Sequence, residues 1–307
     1  MYTLITWLKN RKMLTATLVA VYMVFILVMH DTFVALSVWI MEKINADRYN
    51  LAVAIGSFSV LALLVWYVKK KLRHYRQSSG IKTAFFTAMI CLIILHMQAL
   101  FVVNIEIIHA FQFGFLALLI YPLTQSHGRT MFYCTLLGAL DEFFQYKVWH
   151  SLGADYFDFN DIVINQLGIG IALVLISIAG VPTRPLDVKQ WYRLPELHIT
   201  ALLAIAITWM LQTGRMELYA RGTGQAWLTL SKYPDPLPFW LQLRNSDIIY
   251  HVLTPTEGLI IVFLIIAMFY LYDRLLMRQH FLQFSLNGSA TSAPGGQVKR
   301  IFPSKAR

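Results

Sequence analysis

Runs of about 20 apolar residues recur along this chain, separated by short polar stretches. A run of that length crosses a hydrocarbon core ~30 Å thick as an α-helix, because a helix satisfies its own backbone donors and acceptors where no water can. Composition agrees. Apolar residues make up 57% of the 307, charged residues only 14%, and mean hydropathy is +0.56. Soluble globular chains carry roughly 25% charged residues, so this balance argues against an ordinary soluble enzyme and excludes disorder or a collagen-like repeat. The expected fold class is all-α: a polytopic transmembrane helix bundle.

The apolar pattern predicts eight spans, at about 13–29, 51–68, 83–103, 107–121, 131–146, 159–179, 197–212 and 248–272. The first is expected to stay uncleaved, since no small-residue cleavage site follows it. The run 32–44 is too short to cross and is expected along the interface. With the N-terminus in the cytoplasm, nineteen of the 26 Lys and Arg fall on the cytoplasmic side, which predicts that both termini lie there. The net charge of +10 is then a matter of topology and anionic lipid, and with no reader motif nucleic acid is not an expected partner. Thirteen of the sixteen carboxylates fall on the opposite side or in helix ends facing it. Both cysteines, Cys91 and Cys134, are expected to be free core thiols.

Four predicted helices carry acidic, His or amide residues at helical spacing near their outer ends. Glu106 and His109 are three apart; Asp141, Glu142 and Gln145 follow in the fifth span; Asp161 and Asn165 are four apart; Asp247 and His251 are four apart, with Glu257 deeper. Such spacing puts each set on one helix face, and ionisable groups inside a membrane usually face the bundle interior. Asp161 and Asp247 also suit helix N-termini, where a carboxylate caps backbone N–H groups, although Asp158 or Asn160 offers the same cap next to Asp161. Asp141 and Glu142 are harder to explain as structure. They lie toward a helix C-terminus, where the dipole disfavours negative charge. Carboxylates mixed with imidazoles leave cofactor and metal open at this point.

The stretch GALDEFFQYKVWHSLGADYFDFNDIVINQLGIGIA is similar to the signature of the VanZ-like family of bacterial membrane proteins. That signature is an Asp-Glu pair, a Gln three positions on, a short polar loop, then Asp and Asn four apart and a Gly. Asp141, Glu142, Gln145, Asp161, Asn165 and Gly168 stand at those places. The family also has a His in the preceding helix, often after an acidic residue and a Lys; Glu106 and His109 resemble that element, with Ile107 at the Lys position. Where the family loop usually carries an Arg, Lys147 is the only Lys or Arg. The resemblance covers about 83–180. It divides the chain into an N-terminal two-helix region (1–82), a VanZ-like core (83–180), a C-terminal two-helix region with an outer aromatic loop (181–278) and a basic disordered tail (279–307). It implies the bacterial cytoplasmic (inner) membrane, a role in the cell envelope, and a link to sensitivity toward a lipid-anchored glycopeptide antibiotic. It does not by itself imply an enzyme.

The outer loop 214–245 holds Trp227, Tyr233, Phe239 and Trp240 among three prolines, as an interfacial belt or a lid over the polar site. Gly168 and Gly170 are expected to serve helix packing. The leading expectation is a protein that binds a membrane lipid, or a lipid-linked envelope precursor, at an acidic site near the outer face. The binding residues would be Glu106, His109, Asp141, Glu142, Gln145, Asp161, Asn165, His251 and Glu257. Two alternatives use the same residues: an intramembrane metal- or acid/base-dependent enzyme on a lipid substrate, and a proton-coupled transporter.

Overall fold

A computed structural model describes residues 1–73, 79–101, 104–149, 157–184, 192–219, 226–231, 238–242 and 249–290. Among them run nine α-helices: α1 (Tyr2–Lys9), α2 (Lys12–Ile44), α3 (Ala46–Leu72), α4 (Ser79–Ala99), α5 (Ile108–Thr124), α6 (His127–Phe144), α7 (Phe159–Ile178), α8 (Pro195–Gln212) and α9 (Pro255–Ala290). The chain is a multi-pass helical membrane protein. Seven of the described helices are long and apolar enough to cross a bilayer. The eighth expected span is α6, which carries Arg129, Asp141 and Glu142 and is too charged to be counted on apolarity. It lies against α5, α7 and α9, so its polar groups are shielded from lipid by protein.

The helix α7 is the axis of the bundle. In its most apolar stretch 89% of residues are buried, against 6% in α3 and in α8. It packs on α4, α5, α6 and α9. Its tightest contact is with α5, where both helices carry small residues four apart, Ala110 and Gly114 facing Gly168 and Ala172. A methyl group on Gly168 would overlap the Ala110 backbone, and one on Gly114 would come within 3.1 Å of the Gly168 carbonyl oxygen. Lipid tails are as apolar as leucine, so helix association in a bilayer rests on such close backbone approach rather than on hydrophobic transfer. Gly170, two residues on, admits Met89 of α4 and Phe269 of α9. Both glycines serve packing, as expected.

α2 and α9 differ most from the apolar pattern. α2 is one helix of 33 residues, about 50 Å long, and takes in both the first expected span and the 32–44 segment assigned to the interface. It stops at Asn45, whose positive φ of 76° breaks the helix and whose side chain accepts from Asp47 N–H at 2.9 Å to cap α3. α9 starts at Pro255 rather than near 248, because a proline suits the first turn and Thr254 precedes it as cap. It continues to Ala290 through residues expected in the disordered tail, since extending a formed helix costs far less than starting one. Residues 291–307 lie outside the described residues. Cys134 is a buried free thiol as expected, whereas Cys91 points out of the bundle.

Between α8 and α9 the loop holds two small sheets. β1 (Met216–Tyr219) pairs in parallel with β2 (Leu228–Ser231), and β3 (Leu241–Gln242) pairs antiparallel with β4 (Ile249–Tyr250). Trp227 packs on Phe143 of α6 with ring centroids 5.5 Å apart, and the Tyr146 hydroxyl accepts from Thr229 N–H at 3.3 Å. The loop therefore sits on the C-terminal end of α6. Tyr233, Pro234 and Pro236 fall outside the described residues.

At the other end of α6 a buried carboxylate from α9 fixes the helix start. Asp273 accepts from the backbone N–H groups of His127 and Gly128 at 3.1 and 3.0 Å and from the Ser126 hydroxyl at 2.7 Å, and its Oδ1 lies 2.5 Å from His127 Nδ1. These are the unsatisfied donors of a helix N-terminus, met by a side chain from another helix. Arg129 and Glu196 join α6 to α8 at 2.6 Å.

Gly168→Val is expected to lower stability by about 2 kcal/mol or more, because the α5 backbone cannot yield as a side chain would. Gly56→Ala, on an α3 face with open space around it, is the control and is expected to leave the protein as stable as wild type. Thermal unfolding in detergent measures both; a Gly168→Val protein that melts with wild type would show that the α5–α7 contact does not hold the bundle.

Candidate functional site

Three helix ends meet at the end of the bundle away from Asp273. α5 begins there and presents His109. α6 ends there with Asp141 and Glu142, and runs into a π-helical turn (Gln145–Trp149) that carries Gln145. α7 begins there with Asp161 and, one turn on, Asn165. His109 Nε2 lies 3.7 Å from Asp161 Oδ2. One ligand-capable atom from each of His109, Glu142 and Asp161 lies within 4.8 Å of the other two. The Gln145 amide donates to Asp141 Oδ2 at 3.1 Å and to Glu142 Oε1 at 3.3 Å, so one side chain ties the adjacent carboxylates together.

The chain's local chemistry explains how each group is placed. Asp158 caps α7, accepting from Asn160 N–H at 2.8 Å. Asp161 is thereby released from capping and turns into the bundle, still within the first turn where the dipole favours negative charge. Asp141 and Glu142 stand at the opposite pole of α6, where the dipole gives them no help. Gly138, one turn before Glu142, leaves room for Asn165: a methyl group there would lie 3.3 Å from the Asn165 amide nitrogen. Asp141, Glu142, His109 and Asn165 are all buried. No Lys or Arg among the described residues forms an ion pair with Asp141, Glu142 or Asp161.

The expected site is thus assembled from three of the four helices. Glu106 stands half-buried in the 3₁₀ turn Asn104–Ile107 that leads into α5, outside the trio. His251 and Glu257 belong to a second hydrogen-bonded group. Glu257 accepts from the Thr254 N–H and hydroxyl, both at 2.8 Å, while its own N–H donates to the Thr254 hydroxyl at 3.3 Å. That reciprocal pair is a capping box at the start of α9. Glu257 is therefore a helix-start residue with a side chain 41% exposed, and not a carboxylate two turns inside an apolar run. His251 Nε2 lies 3.3 Å from it, and the imidazole stacks on Phe239 at 4.2 Å. Asn160 links this group to α7, donating to the His251 carbonyl at 3.0 Å and accepting from Leu253 N–H at 3.0 Å. Asp247 lies outside the described residues.

Two other histidines lie within helices. His30, which falls between the first expected span and the 32–44 segment, is inside α2, with its ring 6.1 Å from that of His109. The signal was present: the apolar pattern resumes directly after His30 and Asp31. His96 is buried edge-on against Phe101, and neither ring nitrogen has a hydrogen-bond partner among the described residues. The Asp273 cap and the Arg129–Glu196 pair were not foreseen, since nothing local marks two residues far apart in sequence as neighbours.

An apolar cleft of about 310 Å³ runs between α3, α4, α5 and α7. Ile107 and Ala110, which bracket His109, line one end and Leu118 and Leu175 the other. From Ile107 to Leu118 is about 16 Å along the helix. No family model, curated protein or solved structure matches this chain.

Glu257→Ala is expected to cost about 1 kcal/mol, the worth of a helix cap. Ligand uptake at the His109–Glu142–Asp161 cluster should be unaltered. Thermal unfolding and a binding measurement on the same sample separate the two effects; loss of uptake at wild-type stability would place Glu257 in the site after all.

Proposed function

We propose that this protein belongs to the bacterial cell envelope and binds the polar head of a lipid, or of a lipid-linked envelope precursor, at the α5–α6–α7 cluster. On this reading the chain is a distant VanZ-like protein of the cytoplasmic membrane, with both termini inside and the cluster near the outer face. One observation carries it: a buried carboxylate–imidazole group is held on α5, α6 and α7, and α5 and α7 also wall an apolar cleft whose length suits a hydrocarbon chain. A polar head meets the cluster while the tail lies between α3, α4, α5 and α7. The aromatic loop on the end of α6 supports the same reading, because Trp and Tyr favour the headgroup level. Glu106 and His251 flank the entrance in this account, and Glu257 enters only by holding the start of α9.

Asp141→Asn and Glu142→Gln keep side-chain shape and remove charge. Native mass spectrometry of detergent-purified protein is expected to show co-purifying lipid on wild type and at least tenfold less on either variant, with folding checked by size exclusion. Equal lipid on all three proteins would overturn the reading.

Orientation has its own test. In a background with Cys91 and Cys134 replaced by Ser, a cysteine at Glu217 is expected to react with an impermeant maleimide on intact cells. A cysteine at Lys69 should react only after permeabilisation. The reverse pattern would turn the protein over in the membrane and put the cluster on the cytoplasmic side.

A further inference from the structure

We infer that His109, Glu142 and Asp161 form a binding site for a divalent transition-metal ion. The inference deepens the lipid-site reading, since it concerns the same cluster, but the ion's binding does not depend on a lipid.

The donor set is the first argument. One imidazole nitrogen and two carboxylate oxygens come from three different helices. At bonds of about 2.1 Å, ligand atoms around a tetrahedral ion sit about 3.4 Å apart. His109 Nε2 and Asp161 Oδ2 are already 3.7 Å apart, and the whole trio spans no more than 4.8 Å. The set of one nitrogen and two oxygens suits Zn²⁺ or Mn²⁺ and leaves at least one position open, the arrangement of sites that take an exogenous oxygen ligand.

Charge is the second. Glu142 and Asp161 supply two negative charges that match a divalent ion, in a place where no Lys or Arg among the described residues pairs with them. Buried charge without a partner is strongly disfavoured, and a bound cation is a standard remedy.

The third observation is independent of the acidic residues. Asn165 is fully buried, sits one turn from Asp161 on the same face of α7, and lies beside the His109 imidazole. Neither its amide nitrogen nor its amide oxygen has a hydrogen-bond partner among the described residues. Buried amides are rarely left so, and one set beside the His109 imidazole is placed to hydrogen-bond a further ligand of an ion held there. Gly138 keeps the space it stands in clear.

A bound divalent ion also resolves a tension in the lipid reading. Most lipid-linked envelope components are anionic at the head, and a cluster of bare carboxylates would repel them. The ion neutralises the two carboxylates that hold it and presents a coordination position to a phosphate oxygen, with the hydrocarbon tail in the apolar cleft.

The test uses the full-length protein in lipid-free detergent, stripped with chelator and dialysed, then titrated calorimetrically with Zn²⁺ and separately with Mn²⁺. One ion per chain is expected, with Zn²⁺ the tighter in line with the usual order of divalent affinities. Glu142→Gln and His109→Gln should each weaken binding at least tenfold, and Glu257→Gln should not change it. Wild-type protein that takes up neither ion, or variants that bind as wild type does, would overturn the inference. Should a variant fail to fold, the visible absorption of Co²⁺ added to wild-type protein decides instead: intense four-coordinate bands support a nitrogen–oxygen site, and the spectrum of free aqueous Co²⁺ refutes it. Metal uptake without lipid on the purified protein, or lipid without metal, tells the failure of one reading from that of the other.

Discussion

The contact of α5 with α7 is the one on which the other arrangements depend. Ala110 and Gly114 meet Gly168 and Ala172 with almost no side chain between the two backbones. At that separation the helices cannot slide, so the depth of His109 relative to Asp161 is set by backbone packing and not by the polar groups themselves. In lipid this matters more than in water. Burying apolar surface does not favour one helix neighbour over another there, so shape complementarity between small residues has to select the partner. His109, Asp161 and Asn165 are carried on this rigid pair, with α6 laid against it.

The two ends of α6 are treated oppositely, and the dipole explains why. Its N-terminus receives a carboxylate from α9, Asp273, which answers its free N–H groups and the partial positive charge there. Its C-terminus bears two carboxylates of its own, which the dipole opposes. Only Gln145 donates to Asp141 and Glu142 within their own helix turn. Stability alone would not select that second arrangement. A helix whose one end is satisfied from outside and whose other end accumulates unmatched negative charge is an anchored support for a site, with the charge directed at the start of α7.

Several parts of this architecture were legible in the sequence. The apolar runs reported a polytopic bundle, and the spacing of Glu106 with His109, of Asp141 with Gln145, and of Asp161 with Asn165 put each set on one helix face. The glycines of α7 were readable as packing. Other readings failed for definite reasons. Asp31 interrupts an apolar pattern without interrupting a helix, so the pattern divides α2 into a span and an interfacial segment with His30 between them. The start of α9 was set before Pro255, which moved Glu257 from a capping position into the apparent interior of a span. In both places a pattern of side-chain polarity was asked where backbone hydrogen bonding begins, and polarity alone does not say.

What the residues determine unaided is bounded by the range of local forces. Helix formation, the facing of residues three or four apart, and the preference of apolar runs for lipid are properties of short stretches, and the sequence carries them in full. The meeting of His109, Glu142 and Asp161 is of another kind. It joins residues about 20 to 50 positions apart, and whether His251 and Glu257 join them too turns on how α9 is seated against α6 and α7. Only the packed bundle decides that. Small-residue contacts and the Asp273 cap settle which helix ends lie together, and no single helix encodes the shape of its neighbour.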